Sequence, residues 1–305
     1  MTDVSSIFDS MHKAMQKNPI FGDLLSQEDR EYLLNGGTVR VAKEGEVLCK
    51  QYQRDNSVFV LLNGAVEVTE GMGSNVISLC KLYSGEVFGE IAALFMMPRI
   101  ATVTVIKKSV VLEIPGEVLG ELIDKVPMLR NAVFERYHYR SINTALRSVA
   151  MFSSLDEEAL KEIGNAASLV TAKKGEQFIR EGELGDALYI INYGVARVFT
   201  TLDGAELNLA LLRPGEYFGE WSLLTGAPRA ASVSAVTQME VVRLGCEEFL
   251  DFIRKYPDIR DSIDLVAHER KERTEFAKTR PESENDVQVI LSEIEKILIA
   301  ELDSE

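Results

Sequence analysis

Cysteine, histidine and tryptophan are scarce in this 305-residue chain, which has three Cys, three His and one Trp. Cys49, Cys80 and Cys246 share no motif spacing and lie in or beside apolar runs, which suits reduced core thiols rather than a disulfide framework or a metal site. His12, His138 and His268 are scattered, so neither a zinc cluster nor a Ser-His-Asp triad has support. No stretch approaches the roughly 20 consecutive apolar residues that span a bilayer, and Met1–Lys17 is too polar for a secretory leader. A soluble, cytoplasmic protein with no membrane contact is expected. Positive charge is also short: 33 Lys and Arg stand against 48 Asp and Glu, a formal net charge of −15. Neutralising a nucleic-acid backbone needs clustered cations, so no nucleic-acid partner is expected. The acidity is uneven, because Pro281–Glu305 holds eight acidic residues and one lysine.

What the chain does have is a repeat. Phe88–Val103 reads FGEIAALFMMPRIATV, and 130 positions later Phe218–Val233 reads FGEWSLLTGAPRAASV. In each copy a Gly-Glu pair precedes a short apolar run, a proline, an arginine and then small residues; Glu90 stands as far from Arg99 as Glu220 from Arg229. This suits a buried anion site: a tight glycine turn, a helical turn with free N–H groups at its start, and a guanidinium aimed at the same point. A single Arg–Glu couple would read as a structural ion pair, whereas two complete copies at equal spacing favour a ligand. The duplication extends outward: Gly45, Gly64, Gly85, Gly89, Pro98 and Pro127 recur as Gly175, Gly194, Gly215, Gly219, Pro228 and Pro257.

The repeated segment resembles the phosphate-binding cassette of cyclic-nucleotide-binding domains, and the tandem resembles regulatory subunits of cAMP-dependent protein kinase. The resemblance implies that Glu220 accepts from the ribose 2′-hydroxyl and Arg229 pairs with the exocyclic phosphate oxygens. Backbone amides near Gly219, Ser222 and Ala231 would complete the cradle, with Trp221 and Ala230 alongside. The first copy gives these roles to Glu90, Arg99, Gly89, Ala92 and Ala101, flanked by Ile91 and Ile100. A side chain beyond the second barrel, His268 or Phe276, would cover the purine by stacking. Relatives that prefer cGMP often carry a threonine just after the arginine. Ile100 and Ala230 have no hydroxyl, so cAMP is expected at both sites, with cGMP or a nucleoside as the alternative and no further cofactor.

Periodicity supports the architecture that the resemblance implies: α+β, with two antiparallel β-barrel (jelly-roll) domains flanked and joined by helices. Residues 1–20 carry an amphipathic helix with Ile7, Phe8, Met11 and Met15 on one face. Residues 21–127 form the first domain, opened by a helix capped at Ser26 and ended at Gly36-Gly37. Short strands follow, separated by turns at Gly45, Gly64 and Gly71–Gly73. Residues 128–150 read as a long linking helix that would couple the sites. Residues 151–280 repeat the plan, with an opening helix over Phe152–Ala166 capped by Ser154 or Asp156. Residues 281–305 read as an acidic amphipathic helix whose stripe of Val287, Ile290, Leu291, Ile294, Ile297 and Leu298 would be buried on the parent domain, on a second copy as a homodimer, or on a partner.

The copies differ. In the second, Gly182, Gly185 and Asp186 match the family's glycine-rich turn, with Asp186 placed to steady Arg229. The first has Tyr52, Asp55 and Asn56 there, so the carboxylate that would steady Arg99 is missing from its usual place. The first site is therefore expected to be weaker, slower or differently selective. The resemblance points to a sensor with no catalysis of its own that acts on a protein partner, such as a kinase catalytic subunit. A kinase-regulatory type also needs an arginine-rich inhibitory segment, yet the first arginine is Arg30 within the opening helix, so that segment is expected to be absent, trimmed or replaced. An enzyme cleaving cyclic phosphates would need a metal site or a positioned base and nucleophile. A transcription factor would need a basic helix-turn-helix after the barrel. Neither pattern is present.

Overall fold

Local sequence sets the helix ends. Ser26 and Asp29 cap the helix Gln27–Gly36 reciprocally: the Asp29 N–H donates to Ser26 Oγ at 3.1 Å and the Ser26 N–H to Asp29 Oδ2 at 3.1 Å. A Cβ at Gly37 would meet Leu112 Cδ1 at 2.7 Å, so glycine lets the chain leave the helix hard against the sheet. The computed structural model describes residues 12–13, 15–16, 19–51, 53–70, 76–95, 98–152 and 155–279. Most of the helix expected before residue 18, Gly71–Gly73, Tyr52, Ser154 and the acidic helix over 281–305 lie outside these residues.

The chain divides between Tyr137 and His138 into two compact units. In the first, β1 (Thr38–Ala42), β6 (Thr102–Ile114), β3 (Val58–Glu70) and β4 (Ile77–Tyr83) pair antiparallel in that order; β2 (Val47–Cys49) adds to β6 and β5 (Val87–Phe88) to β3. The second unit repeats these pairings in two four-stranded sheets. One is β12 (Tyr217–Phe218), β9 (Ala187–Tyr193), β14 (Met239–Gly245) and β7 (Ala167–Ala172); the other is β11 (Ala205–Leu212), β10 (Ala196–Leu202), β13 (Ser232–Ala235) and β8 (Gln177–Ile179). The class is the expected mixture of helix and antiparallel sheet. Closure is not: among the described residues no ladder joins the outer strands, so the sheets are open rather than closed barrels.

Gly64 corrects a second expectation. It lies inside β3, which runs unbroken from Val58 to Glu70, and its φ of 106° shifts the register against β6 instead of turning the chain. A Cβ there would sit 2.2 Å from Ser109 Oγ and 2.7 Å from Ser109 Cα. Glycine is required because two backbones cross at contact distance.

The helices obey the repeat as well. Gln27–Gly36 is matched by Glu157–Ala166, Gly116–Lys125 by Cys246–Lys255, and Pro127–Ser148 by Pro257–Thr279. The linking helix is thus the first copy's counterpart of the helix that ends the second. Leu129 and Val133, on its first half, pack into a core with Leu33, Leu119 and Ile114. Ile142 and Leu146, on its second half, and Val149, just past its end, pack with Leu188, Leu244 and Phe249. A 3-10 turn, Ala150–Phe152, follows the linking helix, so the helix expected from Phe152 begins only at Glu157. Its cap is Asp156, which accepts from the Ala159 N–H at 2.8 Å. The cysteines form no disulfide among the described residues; Cys49 is buried, but Cys80 is exposed on the outer strand β4, contrary to the expected core position.

Candidate functional site

In the second unit β12 ends at Phe218, and Gly219, with a φ of 92°, turns the chain into the short helix Glu220–Thr225. Glu220 and Arg229 are 4% and 5% exposed, deep for charged groups. Arg229 is held on three sides: Nη1 donates to the Gly219 carbonyl at 2.6 Å, and Nη2 to the Ala187 carbonyl at 2.9 Å and to Asp186 Oδ1 at 2.9 Å. Asp186 also accepts from Arg243 Nη2 at 3.0 Å. Burial pushes the Asp186 carboxyl up, but the hydrogen bonds from Arg243 and Arg229 outweigh it and hold the group below its ordinary range. A Cβ at position 219 would lie 2.7 Å from Arg229 Nη1, so the glycine makes both the turn and the guanidinium's seat.

Gly219, Glu220, Trp221, Ser222, Arg229, Ala230 and Ala231, all singled out from the sequence, line one cavity of about 670 Å³, mouth included. Its other wall comes from the region expected to cover the purine, but through residues other than those singled out. The helix Pro257–Thr279 contributes Arg270, Lys271, Arg273 and Thr274. Arg270 Nη1 donates to the Tyr217 carbonyl at 2.6 Å and to Glu220 Oε1 at 3.2 Å, with its guanidinium carbon 4.9 Å from the Tyr217 ring centre. His268 lies outside the lining: its ring packs edge-on against Trp221, centroids 5.3 Å apart, and its Nδ1 is 2.7 Å from the Asp264 carbonyl oxygen. Phe276 is exposed and also outside the lining. The duplication held the missing signal, since Arg140 and Thr144 recur at 130 positions as Arg270 and Thr274.

The first unit builds the same arrangement. Gly89 has φ 82°, and Glu90 and Arg99 are 6% and 2% exposed. Arg99 Nη1 donates to the Gly89 carbonyl at 2.8 Å and Nη2 to the Ser57 carbonyl at 2.6 Å. The carboxylate expected to be missing is supplied one residue earlier: Arg99 Nη2 donates to Asp55 Oδ2 at 2.6 Å. The Asp55 side chain reaches inward because its Oδ1 accepts from the Ser57 N–H at 2.8 Å, closing a tight local turn. Asn56 points elsewhere, donating to Glu117 Oε1 at 2.7 Å. The position matching Arg243 is Glu113, so the second guanidinium that holds Asp186 has no counterpart at that position in the first copy. Ile91 and Ala92 are buried, and Ile100 and Ala101 half-buried.

The family profile described as cyclic nucleotide-binding domain matches residues 39–126 and again 169–256, together more than half of the chain and offset by the same 130 positions. The chain belongs to the cyclic nucleotide-binding domain family. It is 28% identical over 242 residues to the cAMP-dependent protein kinase regulatory subunit of Yarrowia lipolytica, covering 79% of this chain and 60% of that protein. It is 30% identical over 226 residues to the regulatory subunit of Aspergillus niger, covering 72% and 52%. It is also 30% identical over 222 residues to the cGMP-dependent protein kinase of Eimeria tenella, covering 72% and 20%. The chain thus spans 52% to 60% of the length of the two regulatory subunits. Among the described residues no group of His, Cys, Asp and Glu could hold a metal ion, and no helix is long and apolar enough to cross a membrane.

Proposed function

We propose that the protein is a cytoplasmic two-site cAMP receptor, without catalysis of its own, whose response to ligand passes to a protein partner, a protein kinase catalytic subunit. One observation carries this reading: in both units a buried arginine is clamped by two carbonyls and a carboxylate at the mouth of a glycine turn. Protein acceptors take three of each guanidinium's N–H bonds and leave the rest for a ligand. At Arg99 the buried Nε has no protein acceptor, a position costly to leave unmet and suited to an anionic oxygen. Glu90 and Glu220 take the ribose 2′-hydroxyl, and the amides at the helix starts face the phosphate. In the second site the base lies beneath Arg273 and Thr274. With apolar Ile100 and Ala230 after the arginines, the guanine amino group finds no hydroxyl, which favours adenine.

A second reading, cGMP or a purine nucleoside at the same two cassettes, draws on the similarity to a kinase named for cGMP. Calorimetric titration with cAMP, cGMP, a cyclic dinucleotide and adenosine separates them. Two equivalents of cAMP bound with the highest affinity support the proposal; heat from adenosine alone, or from none of the four, overturns it.

A further inference from the structure

The helix Pro257–Thr279 is tied to the rest of the second unit at two places, one within the stretch that walls the second cavity and one beyond it. At the first Arg270 reaches Glu220 and the Tyr217 carbonyl. At the second, four residues beyond Thr274, Lys278 Nζ donates to Glu181 Oε1 at 2.8 Å. Glu181 is already fixed when Lys278 meets it. Its Oε2 accepts from Thr200 Oγ1 at 2.7 Å, and its backbone N–H donates to Ser232 Oγ at 3.0 Å. Thr200 is fully buried, and the Lys278 and Glu181 side chains are only 26% and 29% exposed. An ion pair with one partner held and partly shielded loses less to entropy and solvent than a free surface pair. Burial pushes the Glu181 carboxyl up, but hydrogen bonds from Lys278 and Thr200 hold it below its ordinary range, so Glu181 meets Lys278 as a carboxylate near neutral pH.

The two ties differ in what a ligand does to them. Glu220 lines the cavity, so a bound molecule competes with Arg270 for it; neither Glu181 nor Lys278 is among the lining residues. The second tie therefore holds whatever fills the site. It belongs to the second copy alone, because the residues 130 positions earlier are Gln51 and Ser148, an uncharged couple. We infer that Lys278 and Glu181 form a latch that keeps the helix Pro257–Thr279 over the second cavity and sets how fast a ligand passes in and out, without touching it. These are positioning residues; the kinetic half of the inference rests on the cavity being the nucleotide site, and the mechanical half does not.

The experiment uses the whole chain and the variants Lys278→Met, Glu181→Gln, Lys278→Arg and the exchange Glu181→Lys with Lys278→Glu. Hydrogen exchange of the amides from Ala267 to Thr279, with no nucleotide added, should quicken roughly tenfold in Lys278→Met and Glu181→Gln, the effect of losing about 1.4 kcal/mol. It should return toward the parent rate in Lys278→Arg and in the charge exchange, where the Thr200 hydroxyl can accept as well as donate. Trp221, the sole tryptophan, lines the second cavity and reports cAMP binding there by stopped flow. In Lys278→Met, association and dissociation should both accelerate roughly tenfold, leaving the affinity within about twofold, because a latch changes the barrier and not the contacts. Unchanged amide exchange in both single variants overturns the latch. Faster dissociation with unchanged association also overturns it, since that marks a ligand contact. Faster amide exchange in a chain that binds no cAMP keeps the latch and sinks the nucleotide reading.

Discussion

Glu240→Gln should stabilise the second unit, and increasingly so as pH rises. Glu240 sits on β14 with no exposed surface. Its Oε1 accepts from Asn192 Nδ2 at 2.6 Å, and its Oε2 has no hydrogen-bond partner. Desolvation pushes the carboxyl up to about 8, from an ordinary value of 4.5. In the folded chain the group is therefore mostly neutral near pH 7, while in the unfolded chain it ionises freely. Below about pH 4.5 both states are protonated and burial of the carboxyl carries no ionisation cost. Between the two values the fold loses about 1.4 kcal/mol per pH unit, and above about pH 8 the loss levels off. The cost is then about 3 kcal/mol near pH 7, of the order of a third of a typical domain's stability. Glutamine keeps the acceptor for Asn192 and never ionises. Urea unfolding followed by Trp221 fluorescence, which reports the second unit, should show a gain of about 3 kcal/mol for the variant near pH 7 and almost none near pH 4.5. A gain equal at both pH values would mean that packing, not ionisation, separates the two proteins and would refute the argument.

The arginines give the most direct test of the sites. Arg229→Lys should weaken the second site by about tenfold to a hundredfold, and Arg99→Lys the first, because a point charge cannot replace a guanidinium forked between protein and phosphate; if the helix Pro127–Ser148 couples the sites, each change shifts the other site's affinity by a reciprocal factor, and calorimetry showing independent sites refutes coupling. Asp55→Asn should weaken the first site alone, by about tenfold, through loss of the charged partner of Arg99; unchanged first-site heat would assign that role elsewhere. Gly64→Ala should destabilise the first unit by about 3 kcal/mol or more, since the new Cβ meets the Ser109 backbone in a left-handed conformation, and urea unfolding that matches the parent would contradict the close approach. Cyclic AMP at about 100 times its dissociation constant should add about 2.7 kcal/mol per site, so a melting temperature unmoved by millimolar cAMP counts against any cyclic-nucleotide role.

The cassettes were legible because their chemistry is local: turn, helix start and arginine lie within a dozen or so residues, and duplication supplied a second reading of each. Helix ends were legible wherever a side chain caps its own backbone, as at Ser26 and Asp156. Gly64 was misread because the same residue type serves a turn and a strand crossing, and only the proximity of Ser109 tells them apart. Asp55 was missed for a related reason. Alignment assigns a role to a position, whereas the guanidinium accepts any carboxylate that reaches it. The cavity's far wall is supplied by residues some 40 positions beyond Arg229. On that charged helix nothing in the period distinguishes Arg270, which faces the cavity, from His268, which packs on Trp221.

Gly89 and Gly219 leave each arginine room to dock, since a Cβ would lie 2.5 Å from Arg99 Nη1 or 2.7 Å from Arg229 Nη1. The smallest possible side chain there would evict the cation from its seat while leaving the arginine itself in the sequence. A duplicated chain could in this way silence one of its two cassettes in a single mutational step, at some cost to that unit's stability because the Cβ also meets a backbone carbonyl at positive φ, while keeping the acidic partner and every charged residue. Survival of the arginine is then a poor marker of a working site among descendants of such a duplication, and the glycine beside it is the better one.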